Sequence, residues 1–213
     1  MLINDLIKGN KKFREVSFPK FEGDVKDLVE NGQKPEILFI GCSDSRVTPD
    51  LMLDTKPGDM FILRNVGNFV PPYNLDNDYH GTSAVIEYAV NVLGVKHIIV
   101  CGHSHCGACK SLYTDLSNTP ELAQVNKWLE LGKRAKEYTL LAIRDKSDME
   151  KLYRTTERIS IVHQMENLLT FPYIEKKVKN GELQIHGWYY RIEDGNIEYY
   201  DGEKCSFETL KED

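Results

Sequence analysis

The sequence predicts an α/β fold: a mostly parallel central sheet flanked by helices, with an N-terminal helical arm and a C-terminal β-hairpin. Three observations predict it. Short apolar runs at 36–41, 60–63 and 96–101 alternate with helical patterns, an order that implies right-handed parallel crossovers. Ahead of any strand, Leu2, Ile3, Leu6, Ile7 and Phe13 recur at near-helical spacing. Near the other end, apolar and aromatic runs at 183–190 and 197–200 flank Asp194-Gly195-Asn196, a hairpin turn signal.

The elements follow in order. Residues 2–15 read as an amphipathic helix, and Pro19 closes that region. A short helix through Val25, Leu28 and Val29 ends at Asn31-Gly32, a fitting C-cap. The first strand comes next. Thr48 as N-cap and Pro49 in the first turn start another helix, and Pro57-Gly58-Asp59 turns the chain into the second strand. A Pro71-Pro72 loop leads to a helix over about 81–93 and then to the third strand. Helices are predicted from Cys106 to Leu116, over about 120–138 and over 148–170. No repeat or linker interrupts the chain, so residues 1–213 read as a single domain, with an arm at 1–17 and an α/β core at 36–200.

Composition narrows the function. With 27 basic against 33 acidic residues the net charge is -6, which argues against a nucleic-acid partner that would need a basic face. No apolar run approaches the roughly 20 residues that span a bilayer, so no membrane partner is expected. The N-terminus carries Asp5 where a signal peptide would carry basic residues, which gives a cytoplasmic expectation. Five cysteines, three of them close to His103, favour metal binding or reactive thiols over a disulfide framework.

Chemistry concentrates in two runs. Cys42-Ser43-Asp44-Ser45-Arg46 follows the first strand, and Gly102-His103-Ser104-His105-Cys106-Gly107 follows the third. Ligands in open α/β sheets gather beyond the carboxyl ends of the strands, so the two runs can meet. Cys42, His103 and Cys106 supply three protein ligands for a zinc ion, leaving a fourth position for water. Gly102 and Gly107 are expected to allow the tight backbone between strand and helix. Asp44 and Arg46 alternate along an extended segment with Cys42, and an Arg–Asp pair would fix the carboxylate and lower its pKa. Two rival readings stand beside this one: inert buried thiols, and thiol redox exchange at Cys106-Gly107-Ala108-Cys109. Cys101 and Cys109 read as packing residues and His105 as a polar contact.

The two runs, in this order and spacing, resemble the signature of the β-class carbonic anhydrases. Arg64-Asn65-Val66-Gly67-Asn68, Ile86-Glu87-Tyr88-Ala89-Val90 and His186-Gly187-Trp188-Tyr189-Tyr190 extend the resemblance over nearly the whole chain. It implies one zinc per subunit on Cys42, His103 and Cys106, a catalytic dyad of Asp44 and Arg46, and reversible hydration of carbon dioxide to bicarbonate and a proton. Zinc lowers the pKa of bound water from 15.7 towards about 7, which suits that reaction.

Within the family the chain resembles the plant-like, open-site branch. Gln33, nine residues before Cys42, together with Phe61, Val66, Tyr88 and Gly107, matches the substrate pocket of that branch. Gln33 is implied to donate to a bicarbonate oxygen. Phe61, Val66 and Tyr88 are implied to form an apolar wall. Phe39 stands where the other branch has a Trp of a non-catalytic bicarbonate site, although Arg64 and Tyr190 of that site remain. Val92 stands where plant relatives carry a histidine that moves protons; His80 could substitute or be a plain solvated surface histidine, and the proton shuttle is left unassigned. Relatives wrap the N-terminal arm over a second subunit, so a homodimer or tetramer is expected. The alternatives are a carbonyl sulfide or carbon disulfide hydrolase on the same fold, or a non-catalytic zinc-binding protein.

Overall fold

The computed structural model describes residues 2–76, 78 and 80–210. Its centre is a six-stranded sheet in the order β2-β1-β3-β4-β5-β6. The strands are β1 (Ile37–Cys42), β2 (Met60–Asn65), β3 (His97–His103), β4 (Gln184–Tyr190), β5 (Ile197–Asp201) and β6 (Ser206–Thr209). β1, β2, β3 and β4 run parallel, while β5 and β6 join antiparallel. The expected hairpin is therefore β4–β5. Its first strand also completes the parallel sheet, and β6, which the sequence reading did not contain, extends the edge.

The inner strands are unbroken apolar runs because both of their faces are covered. On one face Leu38, Ile40, Ile98 and Val100 pack under α4 (Gly81–Glu87), α8 (Met149–Leu168) and α9 (Pro172–Lys179). On the other, Phe39, Ile99 and Cys101 meet Met52 and Leu53 of α3 (Pro49–Leu53), while Met60, Ile62, Trp188 and Tyr190 stay half-buried. The sheet is covered unevenly.

Helix boundaries depart from the sequence reading where the backbone changes pitch. The first helix is α1 (Ile3–Lys12), followed by a π-turn and a 3₁₀ turn through Lys20 and then α2 (Glu22–Asn31), which ends at Gly32 with φ 76°. Met1 of the expected arm lies outside the described residues. Thr48 is the N-cap of α3, but its side chain makes no capping bond, leaving Pro49 as the start signal. α4 continues as a π-turn to Leu93 and stops at left-handed Gly94. The helix expected from Cys106 to Leu116 is only α5 (Gly107–Ser111). The stretch at 120–138 breaks into α6 (Ala123–Leu129) and α7 (Lys133–Ala142) around Gly132. A Cβ at Gly132 would meet Phe69 and Leu112 at 2.8 and 3.0 Å, so close packing sets that break. α9, with Pro172 in its first turn and lysines in its last, was hidden by its shortness.

Helix α8 lies directly on the sheet because two strand positions lack side chains. A Cβ on Gly102 would sit 2.7 Å from Ile161, and one on Gly187 would sit 2.6 Å from Met165. Gly102 thus serves helix–sheet contact rather than the tight turn assigned to it. Gly102→Ala should cost about 1–3 kcal/mol of stability through overpacking against fully buried Ile161. Denaturant melting of the variant checks this, and an unchanged midpoint would mean that α8 shifts freely.

Candidate metal centre

Parallel registry builds the site. Gly41 of β1 pairs with Cys101 of β3, so the residues that follow, Cys42 and Gly102-His103, leave the sheet side by side. Cys106 returns to the same point one turn later as the N-cap of α5. The Sγ atoms of Cys42 and Cys106 and a ring nitrogen of His103 lie within 4.8 Å of one another, and all three residues are buried. His103 Nδ1–H donates to the Ser104 carbonyl at 2.8 Å, which leaves the lone pair on Nε2. That Nε2 is buried and has no hydrogen-bond partner. A buried imidazole lone pair facing two thiols suits a divalent zinc ion.

Electrostatics agree. A hydrogen bond shared with Cys106, together with burial, pushes the Cys42 thiol up to about 12. Cys106 is raised as well, first by its hydrogen bond with Cys109. Cys106 thus opposes ionisation of Cys42, while the Cys42 bond favours the Cys106 thiolate, and a bound cation would stabilise both as thiolates. The cysteines are all free, with Cys101 and Cys109 buried as packing residues. No disulfide joins Cys106 and Cys109, and Cys106 lies in the group with Cys42 and His103.

Asp44 stands at the rim, its Oδ2 4.0 Å from His103 Nε2. Arg46 holds it as a bidentate pair, Nε to Oδ1 at 2.9 Å and Nη2 to Oδ2 at 2.7 Å, with the Arg46 backbone N–H adding 3.0 Å to Oδ1. These bonds hold the Asp44 carboxyl well below the usual carboxylate range. Arg64 braces the same segment by donating to the carbonyls of Cys42 (2.9 Å) and Asp44 (2.8 Å).

The expected pocket residues divide into two groups. Val66 and Gly107 adjoin the metal group: the neighbouring Gly67 N–H points at Cys42 Sγ from 3.4 Å, and Gly107 directly follows Cys106. Gln33, Phe61 and Tyr88 do not reach it within this chain. Phe61 is level with Leu38, four residues or about 13 Å before Cys42 along the strand. Tyr88 stacks on Phe61 at 5.8 Å between ring centroids, and Gln33 is exposed before β1 begins. All three lie towards the amino ends of the strands. His80 pairs with Asp76 at 2.6 Å on the surface.

Sequence reasoning missed the residues that hold the site from beneath. Glu157 of α8 is buried, accepts from the Cys106 backbone N–H (2.9 Å) and from the Tyr189 hydroxyl (2.8 Å), and pairs with Arg154 at 3.1 Å. Desolvation lifts its pKa to about 7. The available signal was a carboxylate at helical spacing from core residues Ile161, Gln164 and Leu168. Trp128 donates to the Val66 carbonyl at 2.7 Å and pins the turn beside Cys42. The tight turn between β3 and α5 also differs from expectation. Gly107 has no positive φ and nothing within 4 Å of an added Cβ, whereas His105 adopts φ 57°.

A Cys₂His group at the carboxyl ends of parallel strands, with an Arg-held carboxylate at its rim, is a candidate divalent-metal centre on an α/β fold. The carbonic anhydrase family profile matches residues 37–197. A carbonic anhydrase of Synechocystis sp. is 42% identical over 199 residues, 92% of this chain and 70% of that protein. The solved β-carbonic anhydrase CcaA superposes with a TM-score of 0.89 at 38% identity, covering 99% of this chain and 92% of that one. One of two tetrameric β-carbonic anhydrases from Sordaria macrospora matches at TM-score 0.68 and 34% identity, with 92% of both chains covered. The chain belongs to the β-carbonic anhydrase family, and its activity is carbonate dehydration, the reversible hydration of carbon dioxide. The readings as a sulfide hydrolase or a non-catalytic zinc protein are not favoured by these relatives.

Glu157→Ala would leave Arg154, the Cys106 N–H and the Tyr189 hydroxyl without their buried acceptor. A loss of about 3–5 kcal/mol is expected, measured by denaturant unfolding. A loss below about 1 kcal/mol would show that water replaces the carboxylate there.

Proposed function

We propose that Cys42, His103 and Cys106 hold one zinc ion per subunit, and that Asp44 and Arg46 form the dyad that orients the reacting water during carbon dioxide hydration. The observation that carries this reading is the unpartnered, buried His103 Nε2 facing two thiols, with Asp44 only 4.0 Å away. When bound, zinc supplies the Lewis acidity that makes water acidic near neutral pH. The remaining work falls to the chain. Arg46 keeps Asp44 ionised and therefore acceptor-only, so the carboxylate takes a hydrogen bond from the water and turns its lone pair outward. Val66 and Gly107 keep the adjoining space small and apolar, which suits a linear, non-polar substrate.

The other half of the pocket is proposed to come from a second copy. Gln33, Phe61 and Tyr88 share the opposite end of the strands, with Tyr88 45% exposed. In a twofold pair that end of one chain meets the metal end of the other. There the Gln33 amide would donate to a bicarbonate oxygen and the Phe61–Tyr88 stack would wall the substrate. α1 buries none of its residues, leaving Leu2, Ile3, Leu6 and Ile7 exposed. Such a stripe needs a partner surface, as does the half-buried sheet face with Trp188 and Tyr190. A homodimer, or a tetramer built from dimers, meets both needs. Among the described residues no helix is long and apolar enough to cross a membrane. The free thiols suit a reducing compartment, and a cytoplasmic location is proposed on that ground. The chain is proposed to fold as one domain over 1–213.

Two variants separate the roles. Cys42→Ser should lose most bound zinc and nearly all hydration activity, whereas Asp44→Asn should keep its zinc and lose turnover by about a hundredfold or more. Elemental analysis with stopped-flow hydration measures both. A Cys42→Ser protein with full zinc, or an Asp44→Asn protein at full rate, would remove that residue from its role.

A mixing experiment tests the shared pocket. Co-expressed Cys42→Ser and Gln33→Ala chains should recover activity that neither shows alone, because mixed pairs contain one intact site. Activity no higher than the average of the two separate variants would place Gln33 outside the partner's pocket.

A further inference from the structure

We propose that Glu193, in the turn between β4 and β5, is a positioning residue for both halves of the site, setting the orientation of the His103 ligand and of the Asp44–Arg46 dyad through residues 104 and 105. This inference rests on the roles proposed above for those three residues.

The geometry is a fork. One oxygen of Glu193 accepts from the Ser104 hydroxyl at 2.6 Å, and the other accepts from His105 Nε2 at 2.6 Å. Ser104 Oγ in turn accepts from the Ile192 N–H at 2.9 Å, and the Ser104 N–H donates to the Tyr190 carbonyl at 2.9 Å, so the two turns are laced together. What the gripped residues do with their carbonyls is the decisive point. The Ser104 carbonyl accepts from His103 Nδ1, the bond that aims His103 Nε2 at the metal position. The His105 carbonyl accepts from Arg46 Nη2 at 3.0 Å, and the same Nη2 binds Asp44. One carboxylate therefore fixes two consecutive peptide groups, one serving the ligand and the other serving the dyad.

The backbone needs that grip. His105 sits at φ 57°, a left-handed conformation that a residue with a Cβ adopts at a cost. The following N–H, on Cys106, is tied from the other side by Glu157. Without Glu193, residue 105 is free to relax towards ordinary φ, which rotates its carbonyl away from Arg46 and loosens the neighbouring Ser104 peptide. Nothing else among the described residues holds the Ser104 and His105 side chains by hydrogen bonds or ion pairs except the Ile192 N–H. Groups hydrogen-bonded directly to a ligating histidine shift metal affinity by about 10- to 100-fold, and Glu193 stands one step behind the Ser104 carbonyl that bonds His103.

The test uses Glu193→Ala and Glu193→Gln in the zinc-loaded protein. Both should weaken zinc affinity about tenfold by competition with a chromophoric chelator and lower kcat about tenfold with KM little changed, the alanine variant more than the glutamine. With cobalt substituted for zinc, the visible absorption should shift, because the His103 ring reorients. Introduced into an Arg46→Ala background, Glu193→Ala should lower kcat by clearly less than it does in the parent, since the route to Asp44 is already cut and only the route through His103 remains. If Glu193 only staples the turn, melting temperature falls while zinc affinity, cobalt spectrum and kcat of the folded protein match the parent, and the proposal is overturned. The wild type and Asp44→Asn serve as controls. If wild type fails to bind zinc or Asp44→Asn is fully active, the underlying site reading fails. If both controls behave and Glu193→Ala matches wild type, this inference alone fails.

Discussion

The pairing of β1 with β3 in parallel register is the constraint on which the rest depends. It sets Cys42 beside His103 without any loop having to search for the other, because both strands end at the same level. The donor set is built on the stiffest part of the fold, with Phe39, Ile40, Val100 and Cys101 immediately behind it and inaccessible to solvent. Only Cys106 comes from irregular backbone, and that backbone is tied down by buried Glu157. Pre-organisation of this kind leaves little for a cation to rearrange on binding.

Around this centre each polar group is held by one behind it. Arg46 fixes Asp44, the His105 carbonyl fixes Arg46, and Arg64 fixes the carbonyls on either side of Ser43. Beneath, the Arg158 guanidinium lies 3.9 Å over the Tyr189 ring, whose hydroxyl reaches Glu157. In a low-dielectric interior such chains strengthen one another and make any missing member costly.

That Cys42, His103 and Cys106 come together, with Asp44 and Arg46 paired beside them, was legible because the pattern is local. Cys, His, Asp and Arg within a few residues of strand ends announce themselves by type and spacing. Glu157 was not legible, since a carboxylate inside a twenty-residue amphipathic helix reads as solvent-facing until the helix is docked. Nor was His105, whose left-handed φ belongs by propensity to one of the glycines beside it. The helix break at Gly132 depends on tertiary packing against Phe69 and Leu112, which no local pattern records. Phe61 and Tyr88 do stack on one another, but a single chain leaves them and Gln33 towards the opposite end of the sheet from its own Cys42–His103–Cys106 group.

That separation of the metal group from the Phe61–Tyr88 stack has an arithmetic consequence. On the proposed pairing, a chain with the metal group at one end and the Phe61–Tyr88 stack at the other carries two half-sites and no whole one. Twofold pairing as proposed would complete both sites in the same event, so intermediate assemblies with a single working site would not arise from identical chains. At concentrations well below the pair's dissociation constant, the rate would then scale with the square of the chain concentration rather than in proportion to it. Under that pairing dilution would act as an off-switch without any effector.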